Sequence, residues 1–252
     1  MNKRTIWIVG ASSGIGLELV KKWLWSNHNV VASSRSASSS EALRALSIQF
    51  PHQLVMVDLD ASDHAHIDQA VEKAWDAFGS IDRWFYNAGA YEVMKMEQWS
   101  EDAFVQMNEV NYLGAVRIMI PLSSKFIAQG HGEWIWNISL SSYFGLPYGG
   151  GYSAPKAALL NLAESIQPEL KTKGIRLRVI NHGFVKTRLT SKNDFEMPQL
   201  MEPSDAAEQI VEALEREHGF EIRFPKALSQ FLSFLRILPY TFALKLTSKA
   251  LR

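Results

Sequence analysis

The chain has 252 residues, 26 Lys plus Arg against 26 Asp plus Glu, and no cysteine. Zero net charge leaves no global field to attract nucleic acid or an anionic membrane, and the missing cysteine excludes disulfides, thiolate catalysis and cysteine metal sites. A hydrophobic content of 47% allows a sizeable core, but no apolar run approaches membrane-spanning length. We therefore expect a cytoplasmic protein without a metal site, a nucleic-acid partner or a transmembrane segment.

Short β-branched or aromatic runs alternate along the chain with longer segments of helical spacing. After the first run, Ile15, Leu19 and Trp23 recur every four residues. This alternation predicts an α/β fold in which helices cover both faces of a parallel sheet. The predicted strands are Thr5 to Val9, Asn29 to Ser33, Leu54 to Val57, Arg83 to Tyr86, Glu133 to Ile138, Ile175 to Ile180 and Glu221 to Phe224.

A glycine-rich segment, G-x-x-x-G-x-G, follows the first predicted strand and opens the first helix. Glycines there permit a tight turn and a close approach to a pyrophosphate, while the helix N-terminus offers free N–H groups and partial positive charge. An ordinary glycine turn remains the alternative, because such motifs are weak signals on their own. The residues that we assign to a dinucleotide here are Gly10, Ser12, Ser13, Gly14, Ile15 and Gly16.

The loop after the second predicted strand favours NADP(H) over NAD(H). An NAD site usually places Asp or Glu about 20 residues beyond the glycines, to bond the ribose 2′-hydroxyl. Here the segment has no acid and ends in Ser34-Arg35. An arginine can bind a 2′-phosphate with paired hydrogen bonds, whereas a carboxylate would repel it. The alternative is that Arg35 is an ordinary solvated loop residue.

The segment Tyr152-Ser-Ala-Pro-Lys156 completes a set of motifs that occur in order along most of the chain. The other members of the set are the glycine loop, Ser139, which lies 13 residues before Tyr152, and Asn111 in a Val-Asn-Tyr-Leu-Gly segment. On these motifs the sequence resembles the short-chain dehydrogenase/reductase family. The resemblance implies a doubly wound, Rossmann-type, seven-stranded parallel sheet and a homodimer or homotetramer. It also implies cofactor contacts from Asp58, Leu59, Asn87, Ala88, Gly89, Gly183, Val185 and Thr187.

Physical roles for the catalytic candidates follow from their chemistry and from the resemblance. Tyrosine titrates near pH ~10 in isolation, and an ammonium four residues on, on the same helical face, lowers that pKa. We therefore assign Tyr152 as the acid/base, assisted by Lys156. Ser139 would bond the substrate oxygen. By resemblance, Asn111 would hold a water that links Lys156 to solvent, and Lys156 would bind the nicotinamide ribose.

Three departures from the family pattern affect these assignments. Ser141 and Ser142 compete with Ser139 for the serine role. His182 stands where the family usually has proline, and we expect it to replace that proline without a catalytic role. Pro155, which lacks an N–H, is expected in the first helical turn, where that loss costs little.

Substrate contacts are expected from loops at the carboxyl ends of the strands. The candidates are Leu140, the segment 146–148, Phe184 and the segment 188–201, which we interpret as a mobile lid. Their apolar side chains favour an apolar or aromatic carbonyl substrate. The strand tryptophans Trp7, Trp84, Trp134 and Trp136 are expected in the core rather than around a substrate.

The last part of the chain differs in pattern from the rest. We divide the protein into a catalytic domain, residues 1–225, and an amphipathic helical extension, residues 226–252. Its apolar stripe is expected at Leu228, Phe231, Leu235 and Leu238, with Phe242 and Leu246 beyond Pro239, and its positive charges at Arg236, Lys245, Lys249 and Arg252. We favour packing of this extension on its own core or on a second subunit over contact with a membrane surface.

The combined prediction is an NADP(H)-dependent oxidoreductase that moves a hydride between the nicotinamide and a carbonyl or secondary alcohol. A nucleotide-sensing regulator on the same fold is the alternative, because a fold does not establish a function. A membrane-associated scaffold built on the extension is a weaker third option. The complete set of Ser139, Tyr152 and Lys156 favours the enzyme, since a sensor has no need for it.

Overall fold

The computed structural model describes residues 3–216 and 219–250, and its centre is one parallel sheet of seven strands in the order β3-β2-β1-β4-β5-β6-β7. The chain begins in the middle of the sheet and adds strands toward one edge as far as β3. It then crosses back and adds β4 to β7 toward the other edge, which leaves a crevice at the carboxyl ends of β1 and β4. The predicted strands are confirmed to within two residues at each end. Their bounds are β1 Thr5–Val9, β2 Asn29–Ser34, β3 Leu54–Asp58, β4 Arg83–Tyr86, β5 Gly132–Asn137, β6 Ile175–His182 and β7 Glu221–Phe224.

Helices connect the strands and cover both faces, as predicted for an α/β fold. A single π-helical turn, Glu109–Leu113, joins two of them and contains Asn111. The helices are α1 Gly14–Trp25, α2 Glu41–Gln49, α3 Ile67–Asp76, α4 Glu101–Asn108, α5 Gly114–Gln129, α6 Gly150–Thr172, α7 Pro203–Glu215, α8 Lys226–Ile237 and α9 Tyr240–Thr247. No helix in the described ranges is long and apolar enough to cross a membrane.

Each face of the sheet has its own buried cluster, because successive side chains of a strand point to opposite sides. On β1, Ile6 and Ile8 pack on one face while Trp7 packs on the other. The predicted burial of the strand tryptophans is confirmed, and Trp84 meets Trp134 edge to face with ring centroids 5.3 Å apart. This layered core fixes the strand ends at which the side chains of the site project.

A group of charged side chains is buried at the opposite, amino end of the central strands. The Glu133 carboxylate lies 2.7 Å from Arg83, 2.8 Å from Arg176 and 3.8 Å from Arg178. Arg83 and Arg178 are each 1% exposed, so their positive charges need compensation within the protein. Besides Glu133, Arg83 has the Glu215 carboxylate at 3.8 Å, and Arg178 donates to two backbone carbonyls. This cluster is far from the carboxyl ends of the strands and serves the fold.

The position predicted for Pro155 is wrong. Helix α6 already begins at Gly150, with the Tyr152 N–H bonded to the Gly149 carbonyl over 3.1 Å. Pro155 is therefore the sixth helical residue, in the second turn, and its missing N–H removes a bond to the carbonyl four residues earlier. The glycines before Tyr152 adopt helical backbone in spite of their low propensity, which places Tyr152 in the first turn.

The predicted phase of the C-terminal stripe is also partly wrong. Leu235 is buried as expected, but the other inward positions of α8 and α9 are Ser229, Leu232, Ala243 and Thr247. The extension has apolar residues around most of its circumference, so its spacing alone does not define the packed side. The predicted stripe members Phe231, Phe242 and Leu246 are exposed. Arg252 lies outside the described residues, and the division of the chain at residue 226 stays a prediction.

Candidate active site

A line of hydrogen bonds connects four of the sequence motifs at the carboxyl end of the sheet. The Lys156 Nζ donates to the Asn137 carbonyl over 2.9 Å, and the Asn137 amide donates to the Asn87 side chain over 2.8 Å. The Asn87 amide in turn donates to the Gly10 carbonyl over 2.8 Å. The catalytic candidate Lys156 and the glycine loop are therefore held in one frame by the ends of β5, β4 and β1.

The predicted acid/base, Tyr152, lies beside Ser139 at the start of α6. Burial raises the pKa of the Tyr152 phenol, and a hydrogen bond with Ser139 works in the opposite direction. The Ser139 Oγ also accepts bonds from the Ser141 N–H, over 3.2 Å, and from its hydroxyl, over 3.0 Å. The Ser142 hydroxyl donates to Asn181 instead. Ser139 is therefore the member of the three serines whose hydroxyl meets Tyr152.

Lys156 is almost fully buried one helical turn after Tyr152. Burial lowers the pKa of its ammonium to about 7, because no carboxylate compensates the charge in its surroundings among the described residues. Its Nζ lies 5.7 Å from the centre of the Tyr152 ring. The prediction that Lys156 lowers the Tyr152 pKa is wrong for this structure: burial raises that pKa, and the opposing effect comes from Ser139.

Asn111 is fully buried and is engaged with the loop that follows β4. Its side-chain oxygen accepts from the Ala90 N–H over 3.1 Å, and its amide donates to the Ala90 carbonyl over 2.7 Å. Both polar atoms of the side chain are thereby used to fix this loop. A role in holding a water for Lys156 stays a prediction.

The glycine loop has the geometry expected of a phosphate-binding turn. Gly10 and Gly14 adopt positive φ angles of 89° and 55°, and a Cβ on Gly16 would lie 2.0 Å from the Gly10 carbonyl oxygen. Ser13 caps α1 without a side-chain hydrogen bond, and the first turn has no acid. The amino end of α1 therefore retains free N–H groups and an uncompensated partial positive charge. Ser12 lies in this turn, whereas Ile15 is buried in the core.

Arg35 and Asp58 line a cavity of about 310 Å³ at the ends of β2 and β3. Arg35 is exposed and, in the described part of the chain, has no carboxylate within ion-pair distance. The Ser34 hydroxyl is buried without a hydrogen-bond partner among the described residues. Asp58 accepts from the Ser38 N–H over 2.8 Å and from its hydroxyl over 2.6 Å, which lowers the carboxyl pKa against the effect of burial. The Leu59 N–H bonds the Ser34 carbonyl.

The strand ends and the loop after β6 bring the remaining predicted cofactor residues together. A Cβ on Gly10 would lie 2.6 Å from the Ala88 nitrogen, and one on Gly89 would lie 3.4 Å from Asn111. Across the crevice, a Cβ on Gly14 would lie 3.1 Å from the Thr187 methyl group. Val185 and Gly183 lie in the same loop, where Val185 pairs with Met201 and the Gly183 N–H bonds the Phe224 carbonyl.

His182 is held next to this loop as a neutral side chain. Burial lowers the pKa of its imidazole to about 4, and the charge of Lys156 acts in the same direction. Its Nδ1 lies 2.7 Å from the Gly183 carbonyl oxygen, and its ring stacks on Phe224. These contacts are structural, in agreement with the expectation that His182 replaces a proline.

Sequence reasoning missed Tyr91, which contacts both Tyr152 and the segment 188–201. Tyr91 meets Tyr152 edge to face with ring centroids 5.0 Å apart, and its hydroxyl donates to Asn193 over 2.9 Å. The bridge between Val185 and Met201 closes the two ends of this segment. The segment is therefore connected to Tyr152 through Tyr91, and no short motif predicts this connection.

An apolar cavity of about 500 Å³ opens beside the first turn of α6. Leu146 and Tyr148, two of the predicted substrate contacts, line it, whereas Leu140 is buried in the core. The lining residues that the sequence did not single out are Met94, Met96, Trp99, Phe104, Gly150 and Gly151. A Cβ on Gly151 would lie 2.4 Å from the Met107 methyl group, so a larger residue there would displace this flexible side chain.

Comparison with known proteins agrees with this geometry. The short chain dehydrogenase family model matches residues 4–197. An uncharacterized oxidoreductase of Myxococcus xanthus is 30% identical over 242 residues, 95% of this chain and 94% of its own. A 3-oxoacyl-[acyl-carrier-protein] reductase, MabA, of Mycobacterium avium is 25% identical over 191 residues, 76% of this chain and 71% of its own.

Solved structures share the fold at lower identity. A short chain dehydrogenase of Burkholderia cenocepacia in complex with NADP has a TM-score of 0.83 at 23% identity, covering 97% of this chain and 98% of its own. One from Burkholderia phymatum in complex with NAD has a TM-score of 0.80 at 19% identity, covering 92% of each chain. The bound cofactor thus differs between neighbours of the same fold.

The protein belongs to the short-chain dehydrogenase family. It is accordingly an NAD(P)-dependent oxidoreductase with a single α/β domain. The nucleotide-sensing regulator that the sequence left open is not favoured by these findings.

Proposed function

We propose that the protein is an NADP(H)-dependent reductase, or in reverse a dehydrogenase, that acts on a carbonyl or secondary alcohol attached to an apolar body. The observation that carries this proposal is the hydrogen bond between Tyr152 and Ser139 just beyond the end of β5, one helical turn before the buried Lys156. A hydrogen-bonding hydroxyl, a phenol and an amine in this order form the set needed to polarise a carbonyl and protonate it.

The polar groups at the two ends of the crevice fit a dinucleotide with a 2′-phosphate. The uncapped start of α1 suits a pyrophosphate, and the buried Ser34 hydroxyl beside the exposed Arg35 suits a 2′-phosphate. Asp58 shares the cavity with Arg35, but its carboxylate is already engaged by Ser38. These features favour NADP(H) over NAD(H), although neighbours of the same fold bind either cofactor.

The nicotinamide, when bound, supplies or accepts the hydride, and the chain manages the proton. In the direction of reduction, the Ser139 hydroxyl bonds the substrate oxygen and stabilises its developing negative charge. Tyr152 donates its phenolic proton to that oxygen, and the raised pKa keeps this proton on the phenol at neutral pH. Lys156 has a pKa of about 7. In its charged form it is placed to stabilise the phenolate that remains after the proton transfer.

The substrate class follows from the apolar cavity next to Tyr152. Its walls of methionine, aromatic and leucine side chains include Leu146 and Tyr148, and they provide few groups that could bond a sugar or a charged substrate. The volume of about 500 Å³ accommodates a chain or ring system of moderate size. Our proposal also includes a cytoplasmic location and a homodimer or homotetramer, on the strength of the missing cysteine and of the family.

The test follows NADPH absorbance in the purified protein against a panel of ketones, aldehydes, diketones and acyl-thioester ketones. We expect turnover with carbonyls that carry apolar substituents, and turnover at least about 100-fold slower in a Tyr152→Phe control. NADPH titration by fluorescence runs in parallel, so that binding is measured apart from turnover. Turnover confined to polar carbonyls would overturn the substrate class, and turnover near the parent rate in Tyr152→Phe would overturn the catalytic assignment.

A further inference from the structure

The outer faces of α8 and α9 expose a row of large apolar side chains. Ile237 is 78% exposed, Tyr240 is 77% exposed and Phe242 is 61% exposed, at the turn between the two helices and just beyond it. Phe231, Phe234 and Ile237 follow one another at intervals of three residues along α8 and are neighbours on its surface. We use the name outer face for all exposed large apolar residues of the two helices, of which those on α9 flank the buried Ala243 and Thr247 on both sides. They are Phe231, Phe234, Ile237, Tyr240, Phe242, Leu244 and Leu246.

The charge of this segment is of one sign only. Residues 226–252 contain five Lys or Arg and no Asp or Glu, in a chain whose net charge is zero. Lys226, Arg236, Lys245 and Lys249 are exposed, and none of them has a carboxylate within ion-pair distance in the described ranges. A surface that binds anionic lipid combines exposed apolar side chains with positive charges. This segment has both.

The outer face is presented by a firmly packed support. Leu232 and Leu235 are buried in the main core, and the Arg236 guanidinium lies 5.3 Å from the centre of the Tyr143 ring. The helices therefore stay on the protein when the outer face meets a partner. The prediction that this extension packs on its own core is correct for the inner face of the helices. It does not explain why the outer face is apolar.

We propose that this outer face docks on the surface of a bilayer that contains anionic phospholipid. Phenylalanine, tyrosine, isoleucine and leucine side chains would enter the boundary between headgroups and acyl chains, while the lysines meet the phosphates. A second copy of the chain fits the same face less well. A symmetric interface applies this patch to itself, so it would bring cations together without any acid from the same segment.

The position of the face also connects it with the proposed substrate. Tyr240 packs against Phe144 with ring centroids 6.4 Å apart, and Phe144 precedes the cavity residue Leu146 by two positions. Docking would hold the apolar cavity close to the lipid surface. This last consequence depends on the proposed function, whereas docking itself does not.

The test is co-sedimentation of the full-length protein with vesicles of phosphatidylcholine alone or with phosphatidylglycerol added. We expect binding to the anionic vesicles that weakens as salt is raised, and little binding to phosphatidylcholine. A Phe234→Ser/Ile237→Ser variant should lose at least about tenfold in partitioning. An Ile48→Ser control removes a side chain that is 82% exposed on α2, and it should bind like the parent.

A second pair of variants tests the charges with the apolar face unchanged. Lys245→Glu/Lys249→Glu should weaken binding to anionic vesicles by about fivefold or more for each position. Lys171→Glu/Lys173→Glu, at the exposed end of α6, makes the same change of net charge elsewhere and should leave binding intact. Thermal unfolding of all variants, with NADPH titration, verifies that each one is folded.

Three outcomes would overturn docking on lipid. They are failure of the parent to bind anionic vesicles, equal binding to neutral and anionic vesicles, and binding that survives both double variants. Sedimentation velocity adds a further check. If the parent forms an oligomer that Phe234→Ser/Ile237→Ser dissociates, the outer face is an interface between copies and the proposal is wrong. None of these outcomes depends on turnover, so they do not affect the proposed reaction.

Discussion

The Nζ atom of Lys156 donates a hydrogen bond to the backbone carbonyl of Asn137 at the end of β5, over 2.9 Å. The position of the amine is thus set by a strand of the sheet as well as by its own helix. Because a carbonyl compensates a buried ammonium less than a carboxylate does, the pKa of Lys156 falls to about 7. The same bond begins the path through Asn137 and Asn87 to the glycine loop.

Tyr152→Phe should reduce turnover by a factor of about 10² to 10⁴, since general acid catalysis contributes that much, while NADPH affinity stays near the parent value. The ring is retained, so its edge-to-face contact with Tyr91 persists and the fold should be unchanged. The measurements are steady-state reduction and NADPH titration by fluorescence. Parallel loss of NADPH binding would mean that the tyrosine serves the cofactor site instead.

Arg35→Ala should weaken NADPH much more than NADH. Charge-assisted hydrogen bonds contribute about 1.5–3 kcal/mol, which is roughly tenfold to over a hundredfold in affinity. Ser34→Asp should repel the 2′-phosphate and shift the preference further toward NADH. The comparison is kcat/KM with both cofactors in the three proteins, with Arg216→Ala at the exposed end of α7 as a matched control. A parent that prefers NADH would refute the assignment.

Tyr91→Phe should raise KM for the substrate by a few-fold to about tenfold with a smaller change in kcat. The change deletes the hydrogen bond to Asn193, whose net worth is about 0.5–1.5 kcal/mol, and keeps the ring against Tyr152. Asn193→Ala should reproduce the effect, and the double variant should add little because both changes remove the same bond. Additive effects in the double variant would show that the two residues act separately.

Acid should destabilise the protein partly through His182. Its folded-state pKa of about 4 lies below the ordinary value of 6.5, so stability is complete above pH 6.5 and is lost as pH falls toward 4. Between pH ~7.5 and pH ~5 we expect this group to cost roughly 2 kcal/mol of unfolding free energy. Urea unfolding at both pH values should show a smaller loss in His182→Asn. The exposed His52→Asn serves as the control, and equal losses in both variants would exclude His182 as the cause.

Glu133→Gln should lower the unfolding free energy by about 3–5 kcal/mol, because it leaves buried arginines without their carboxylate. The substitution removes the negative charge from the 2.7 Å ion pair with Arg83. Glu72→Gln removes the partner of Lys125 at the surface, where a pair contributes about 0–1 kcal/mol. Denaturant unfolding of the two variants measures the contrast. A decrease of less than about 1 kcal/mol in Glu133→Gln would mean that Glu215 and the backbone carbonyls compensate the arginines without Glu133.

The sheet could be predicted from the sequence because a parallel strand that is buried on both faces is mostly apolar. The run from Thr5 to Val9 is one such strand, and it is fully buried in the structure. The catalytic candidates were found through the short spacing of Tyr152 and Lys156 on one helix and through motifs at strand ends. Local patterns of this kind survive in the sequence because neighbouring residues must share one element.

Contacts between distant residues left no such pattern. Tyr91 and Asn193 are 102 residues apart, and only the assembled fold brings them together. The packed side of α8 could not be predicted either, because Phe231 and Leu232 are adjacent and both apolar. In the structure Leu232 is buried in the core, whereas Phe231 is half exposed. The start of α6 was placed too late because glycines usually precede a helix, whereas here they form its first turn.

The strand order has a consequence for synthesis of the chain on the ribosome. Each strand from β2 onward pairs with one that has already been made: β2 with β1, β3 with β2, β4 with β1, and every later strand with its predecessor. The sheet can therefore assemble in the order in which its strands emerge. Until residues 83–86 appear, however, the apolar strand β1 has one unpaired edge, which is a template for wrong pairing. While residues 9 to 83 are being made, a chaperone that covers this edge would protect the nascent protein from aggregation.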